Sequence, residues 1–137
     1  MSADWILEIP SIVFTRIKTE FSENIKQKYN MQNNNFSTVS TSNTTPTFPF
    51  VYVQTLPSIE QGQDLECKTI NGGLFAFQID VTDNKSQART KEVMSEVLKS
   101  MKNMGFEINS MPNFEKQENL YRMSARFRRV IGSGDIL

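Results

Sequence analysis

The chain has 137 residues, with 15 Lys and Arg against 15 Asp and Glu, no His, one Cys and a mean hydropathy of −0.42. This length predicts a single domain, residues 1–137, that can bury a core. A single Cys excludes an internal disulfide. The lack of His excludes His-based triads, and the lack of both His and further Cys excludes the usual zinc and haem ligand sets. A net charge of zero argues against a broad positive field that would attract nucleic acids.

Cofactors, metals and membranes are not expected either. No run reaches the roughly 18 consecutive apolar residues of a membrane span. Asp4 and Glu8 lie where a signal peptide would be basic. These features predict a soluble cytosolic protein with no cofactor.

The first predicted element is an amphipathic helix from Pro10 to about Tyr29. Its apolar positions recur every four residues, a helical spacing that predicts a face turned toward a core, at Val13, Ile17, Phe21 and Ile25. Pro10 suits the first turn of a helix. Residues 1–9 are therefore predicted to form an N-terminal arm.

A long polar loop is predicted for residues 30–47. Of its 18 residues, 14 are Asn, Gln, Ser or Thr and none is charged. Such a segment has little apolar surface with which to order itself, so we expect it to be mobile. Long loops are binding elements or tolerated insertions, and the sequence leaves both interpretations open.

The middle of the chain predicts strands. Residues 48–56 predict the first of them, because Pro49 and Pro57 bracket the run FVYVQTL, which is rich in aromatic and branched side chains. Residues 64–70 and 74–81 predict a projecting β-hairpin, because Asn71-Gly72 supplies the positive φ angles of a tight turn, which Gly73 can extend into a bulged one. In the second hairpin strand one face carries Phe75, Phe77, Ile79 and Val81, and the other carries Leu74, Ala76, Gln78 and Asp80.

A second helix is predicted to run to Met104, with Asp83, Asn84 or Ser86 as its N-cap and Gly105 as its C-terminal cap. Its core-facing stripe is Val93, Val97, Leu98, Met101 and Met104. Next we expect a strand at 106–111, a polar connection at 112–118, a long strand at 119–131 and a flexible tail at 132–137. The predicted fold class is α+β, one mostly antiparallel sheet with two amphipathic helices packed on one face.

Candidate catalytic groups are few. Asp64 with Glu66, or Asp80 with Asp83, can be considered as an acid and base pair, but solvated hairpin carboxylates are the favoured interpretation. Cys67 has no His to activate it and is interpreted as a packed thiol. We therefore do not expect an enzyme.

The most distinctive charged pattern is a basic face on the last predicted strand. Arg122, Arg126 and Arg128 alternate with apolar residues. Tyr121 and Phe127, which could stack on bases, alternate onto the opposite face, and this weakens a nucleic-acid interpretation. Pairing with acids such as Asp80 or Glu66, within the chain or across a subunit boundary, and contact with DNA remain the alternatives.

Residues 74–131 resemble the tail terminator, or tail-completion, proteins of long-tailed bacteriophages of the siphovirus type. The similar features are a strand that ends in FQIDVTDN, a helix that begins near SQART and reaches Gly105-Phe106, and a strand LYRMSARFRRVIG. The segments IVFTRIKTEF and FPFVYVQ fit the same arrangement, so the resemblance extends over residues 10–131. The polar loop at 30–47 departs from it.

The resemblance implies a structural virion protein, present in the host cytoplasm during assembly. It would form a ring, as a hexamer, on the head-proximal end of the tail tube. There it would stop polymerisation of the major tail protein and join the tail to the head-completion, or stopper, protein, while genome DNA passes through the ring. Under this hypothesis, subunit-interface candidates are Asp80, Arg122, Arg126 and Arg128, and candidates for the hairpin tip, facing the lumen or the tail tube, are Asp64, Glu66, Lys68, Asn71, Gly72 and Gly73.

Three alternatives stay open: another neck component such as a stopper or adaptor, a small nucleic-acid-binding module, and a small hydrolase built around Asp64 and Glu66. The charge distribution bears on this choice. Residues 54–84 carry five acids and one lysine, whereas residues 85–131 carry ten basic and five acidic side chains. Such a separation suits contact between neighbouring copies.

Overall fold

The structure is a computed structural model and describes residues 4–38, 47–61, 72–132, 135 and 137. The described elements are α1 (Asp4–Glu20), α2 (Glu23–Lys28), a 3-10 turn (Asn33–Asn35), β1 (Phe36–Ser37), β2 (Phe50–Gln61), β3 (Gly72–Asp83), α3 (Gln87–Asn103), β4 (Glu107–Gln117) and β5 (Leu120–Gly132). The strands form one sheet in the order β1-β2-β3-β5-β4, antiparallel except for the β1–β2 pair. The predicted α+β fold class is confirmed.

The core lies between one face of the sheet and the helices. Alternate residues of β3, from Phe75 to Val81, are fully buried there, as the alternation predicts. In α3, Val93, Val97 and Met101 face them, and Trp5 of α1 lies 6.1 Å from the Phe75 ring. Among the described residues, no helix is long and apolar enough to cross a membrane.

The first helix begins earlier and ends sooner than predicted. It starts at Asp4, so the expected N-terminal arm is wrong for residues 4–9, and Pro10 lies inside the helix rather than in its first turn. The proline costs a backbone hydrogen bond. Burial of Ile9 and packing of Trp5 and Ile6 against the core offset that cost.

Part of the predicted polar loop is ordered. The Phe36 ring is buried edge-on against Phe21, with ring centroids 5.4 Å apart. The buried Asn35 amide donates to the Pro49 carbonyl at 2.8 Å and its oxygen accepts from the Gln32 N–H at 2.9 Å. The expectation of a mobile loop is thus wrong for residues 30–38, because one aromatic and one satisfied amide fix the segment; residues 39–46 lie outside the described part.

The strands that pair with β3 are β2 and β5, while residues 64–70, the predicted first strand of the hairpin, lie outside the described residues. The β2–β3 ladder continues past Pro57 to Gln61↔Gly72, with a register shift between Leu56 and Ile59 that accommodates the proline. Gly72 and Gly73 are therefore ladder residues and not turn residues, which corrects the predicted turn. The other tip candidates, Asp64, Glu66, Lys68 and Asn71, lie outside the described residues, as does Cys67.

The polar connection predicted at 112–118 is wrong. β4 runs to Gln117 and joins β5 through a tight turn at Glu118 and Asn119. Pro112 lies within β4, where the β4–β5 register shifts between Ser110 and Asn113. An edge strand tolerates proline at such an irregularity, because no ladder hydrogen bond has to be donated there.

The ends of α3 agree with their predicted caps. Ser86 Oγ accepts a hydrogen bond from the Arg89 N–H at 3.3 Å, and Gly105 follows the helix with φ +81°. Arg129 points to the helix side of the sheet and donates to the Met104 carbonyl at 2.6 Å. A cation at a helix C-terminus satisfies a carbonyl that has no partner within the helix.

The described residues of the predicted flexible tail contact the rest of the domain. The Gly132 N–H donates to Asp135 Oδ2 at 2.7 Å, and Asp135 lies 3.9 Å from Arg129. Arg16 donates to the Leu137 carbonyl at 2.6 Å. Residues 133, 134 and 136 lie outside the described part, so the flexibility of the tail stays a prediction.

Asp83 is the most buried carboxylate among the described residues. One oxygen accepts the N–H groups of Lys85 and Ser86 at 3.0 Å each, and the other lies 3.5 Å from Arg89 Nη2. We expect Asp83→Asn to lower the free energy of unfolding by about 2 kcal/mol, because the Arg89 charge loses its partner. Asp83→Ala should cost about 1 kcal/mol more, because the N–H acceptor is also lost.

Urea unfolding measures the free energy of unfolding of both Asp83 variants. The matched control is Glu107→Gln, whose exposed pair with Arg128, 3.7 Å apart, should contribute less than about 1 kcal/mol. Equal stabilities of Asp83→Asn and the unchanged protein would contradict the importance of this buried pair.

Candidate functional site

One face of the sheet has no helix packed on it in the described part of the chain. Cross-strand neighbours point to the same side of a sheet, so the register identifies the residues of this face. We call it the open face, and its side chains from β2, β3 and β5 are Phe50, Tyr52, Gln54, Leu56, Leu74, Ala76, Gln78, Asp80, Thr82, Arg122, Ser124, Arg126, Arg128 and Val130. Nearly all are half-buried or exposed, and Asp80 is the buried exception.

The structure places all four interface candidates on the open face. Asp80, however, does not pair directly with any of the three arginines. Arg122 lies 3.4 Å from Glu115 and Arg128 lies 3.7 Å from Glu107, both carboxylates on β4. Two of the three positive charges are thus neutralised within the chain by acids that sequence reasoning did not name.

Arg126 differs from the other two arginines. Its Nε donates to Gln78 Oε1 at 3.0 Å, and the Gln78 amide nitrogen donates to Asp80 Oδ1 at 3.3 Å. No carboxylate of the described residues lies within 4.0 Å of the Arg126 guanidinium. Arg126 is therefore an exposed cation that is oriented by its neighbour but not neutralised.

Two depressions lined by described residues reach this face, and the second also reaches the helix side through Gly105 and Arg129. The first, of about 290 Å³, lies between β4 and β5. Its lining is Gln78, Ser110, Asn113, Glu115, Arg122, Ser124, Ala125 and Arg126. The second, of about 450 Å³, lies at the opposite end of these strands and is lined by Leu74, Gly105, Glu107, Arg128, Arg129 and Val130.

No protein-family model matches this chain, and no curated protein matches it either.

Of the two carboxylate pairs considered as acid and base, only Asp80 with Asp83 falls within the described residues, and the structure separates its two members. Asp80 and Asp83 lie on opposite faces of β3, the first on the open face and the second on the helix side. Asp64 and Glu66 lie outside the described residues. Within the described part, no group of three or more His, Cys, Asp or Glu side chains is arranged to hold a metal ion.

A polar cluster on the helix side was not predicted, because it joins residues far apart in the chain. Tyr29 donates to Glu92 Oε2 at 2.5 Å, Lys28 lies 3.1 Å from the same carboxylate, and the Arg89 guanidinium lies 4.6 Å from the centre of the Tyr29 ring. These hydrogen bonds hold the pKa of Glu92 below its ordinary value, with the Tyr29 hydroxyl as the largest cause. Burial is the main reason that the pKa of Tyr29 is raised.

We expect Tyr29→Phe to raise the pKa of Glu92 toward its ordinary range. Because the folded-state pKa is lowered, the stabilisation from ionised Glu92 is present above the unfolded pKa, about 4.3, and is lost as the pH falls through the folded-state pKa. An NMR titration of the Glu92 side-chain carboxyl measures the shift. Tyr52→Phe, which makes the same change on the open face of the sheet, is the control, and an unaltered Glu92 titration in Tyr29→Phe would contradict the assignment.

Proposed function

We propose that this chain is a structural assembly protein, a tail terminator that forms a ring on the head-proximal end of a long-tailed phage tail tube. The proposal starts from the resemblance of residues 74–131 to that family. The observation that supports it on the structural side is the open face, one side of the sheet on which none of the described helices packs.

The composition of the open face favours contact with protein. It combines apolar side chains, among them Val130 at 57% exposure, with the charged pairs between β4 and β5. Protein interfaces typically join apolar contact area to a polar, charged rim, and arginine and aromatic residues are enriched in them. Arg126 and Tyr52 both belong to this face.

Within the described residues, the outer strands of the sheet suit ring closure. β4 is one outer strand, and at the other edge the short strand β1 pairs with Val51 and Tyr52 of β2. Contact between two different surfaces of identical chains closes into a ring when the rotation between neighbours is correct. The shifts at Pro57 and Pro112 bend these edges and so limit uncontrolled pairing with other strands.

A ring of this kind would act by covering surfaces of its partners and not by catalysing a reaction. One rim would cover the growing end of the tube and block the next major tail protein, and the opposite rim would receive the stopper protein. A stopper or adaptor role uses the same self-contact but binds the portal side, so the tube is the partner that distinguishes the two functions.

One observation favours nucleic-acid binding as the second candidate. Phe50 and Tyr52 lie on the same face as the three arginines, whereas the sequence had placed Tyr121 and Phe127 on the other one. Aromatic side chains beside cations can stack on bases. Against this, Glu107 and Glu115 lie between the arginines and the β4 edge and would repel a polyanion.

The proposal is tested by native mass spectrometry, followed by electron microscopy with tubes of the same phage's major tail protein. We expect a ring, free or formed on contact with tubes, that covers one tube end and stops elongation. Binding along the tube sides, or a monomer that leaves elongation unchanged, would overturn it. Salt-dependent DNA binding by the monomer would favour the second candidate, because phosphate contacts weaken steeply as salt rises.

A further inference from the structure

We propose that the depression between β4 and β5 is a binding site for a carboxylate group, presented by an acidic side chain of another protein chain. This inference goes beyond the ring, because it concerns one site and one chemistry and the monomer is sufficient to test it. Its features are an irregular edge strand, the oriented cation of Arg126, the paired charges of Arg122 and Glu115, and a set of neutral hydrogen-bonding groups.

The irregularity of β4 forms the depression. The ladder pairs Ser110 with Arg126 and Asn113 with Ser124, so Met111 and Pro112 together lie opposite the single residue Ala125 and β4 contains one extra residue here. Extra residues bend a strand away from its neighbour and redirect its side chains. The result is a space of about 290 Å³ beside Arg126.

Arg126 is held in position by a short relay of hydrogen bonds. The buried Asp80 accepts from the Gln78 amide, and the Gln78 oxygen accepts from Arg126 Nε. This leaves both terminal nitrogens of the guanidinium without a protein acceptor in the described part of the chain. A guanidinium that is already oriented loses less conformational entropy when it binds, and its planar nitrogens match the two oxygens of a carboxylate.

The surrounding groups can complete the coordination of an anion. Among the described residues, no hydrogen bond engages the side chains of Ser110, Asn113 and Ser124, which all line the depression. Two hydroxyls and one amide can donate to a carboxylate that Arg126 holds. Arg122 is within the same lining, but its charge is partly neutralised by Glu115.

The charge arrangement favours a single carboxylate over a nucleic-acid backbone. A polyanion needs a row of unpaired cations, and here Arg122 and Arg128 are each paired with a glutamate, whereas Arg126 has no carboxylate partner among the described residues. The volume is at the lower limit for a ligand pocket, roughly 300 Å³, which suits one side-chain carboxylate rather than a nucleotide.

The test is an NMR titration of the full chain with acetyl-Gly-Glu-Gly-amide. We expect saturable shifts of the Arg126 Nε–H and of the Ser124 and Arg126 amides, with a dissociation constant on the order of millimolar. Acetyl-Gly-Gln-Gly-amide, which lacks only the charge, should cause no saturable shift. Inorganic phosphate and a short DNA duplex are titrated in parallel.

Substitutions distinguish binding at this site from a general effect of the protein's charge. Arg126→Gln should weaken binding of the glutamate peptide by about tenfold or more. The matched control is Arg128→Gln, which removes the same charge from the same face and strand but lies outside this depression. Glu115→Gln should strengthen binding several-fold, because it removes a competing anion.

Three results would overturn the proposal: equal binding of the two peptides, equal loss of binding in the two arginine variants, or tighter binding of phosphate or DNA than of the glutamate peptide. The last result would reassign the site to phosphate. All three readouts come from the monomer, so failure of ring formation would leave this inference unaffected. The amide spectrum of each variant also reports whether it is folded.

Discussion

Truncation of Phe77 to alanine is expected to lower the free energy of unfolding by about 3–5 kcal/mol. Phe77 is fully buried in β3, at the centre of the sheet, where it lies opposite Phe127 in the ladder. Its ring meets that of Phe106 nearly edge-on, with centroids 5.6 Å apart and planes at 74°. The variant would lose this contact and leave a cavity between the sheet and α3.

Urea unfolding with two-state analysis measures the change in Phe77→Ala. Met111→Ala is the control, because Met111 is 71% exposed on β4 and its truncation should stay within about 0.5 kcal/mol of the unchanged protein. If Phe77→Ala unfolded at the same urea concentration as the control, the assignment of this face of β3 to the core would be incorrect.

The sequence predicts best those parts of the fold in which apolar residues recur at one regular spacing. In β3, apolar residues at every second position all face the core, and the stripe of α3 is buried as its spacing predicts. Local chemistry is equally informative at the ends of α3, where Ser86 and Gly105 take their expected places. Each of these predictions depends on residues close together in the chain.

Proline is the common cause of the incorrect boundaries. Pro10, Pro57 and Pro112 each led to a predicted boundary, yet each lies within an element. The local cost of proline is real, but packing outside the local segment offsets it in α1, and register shifts accommodate it in β2 and β4. A local pattern cannot show whether such compensation exists.

The open face illustrates the same limit for the candidate site. Alternation correctly placed Arg122, Arg126 and Arg128 on one face with Gln78 and Asp80. Glu115, the partner of Arg122, was missed because the second half of β4 had been interpreted as a connection. Glu107, the partner of Arg128, lies in the predicted strand, but its register with β5 was not predicted. Tyr29 and Glu92 are 63 residues apart, and no local signal connects them.

Reversal of charge in Arg126→Glu is expected to prevent ring closure and tail capping. Arg126 is the one open-face arginine that has no carboxylate partner among the described residues, so it is the cation most available to a neighbouring copy. The variant would add a negative charge to a region that already contains Asp80 and Glu115. A cost of about 1.4 kcal/mol per contact weakens each contact tenfold, and a ring repeats that loss at every interface.

Native mass spectrometry reports the assembly state of Arg126→Glu, and electron microscopy with tail tubes reports capping. The matched control is Lys99→Glu, which makes the same change of charge at an exposed position of α3 on the helix side of the molecule. Because total charge changes equally in both variants, a loss confined to Arg126→Glu would identify the open face as the contact surface. Rings of unchanged abundance that still cap tubes would show that the contact lies elsewhere, and the exposed edge of β4 would then be the next surface to test.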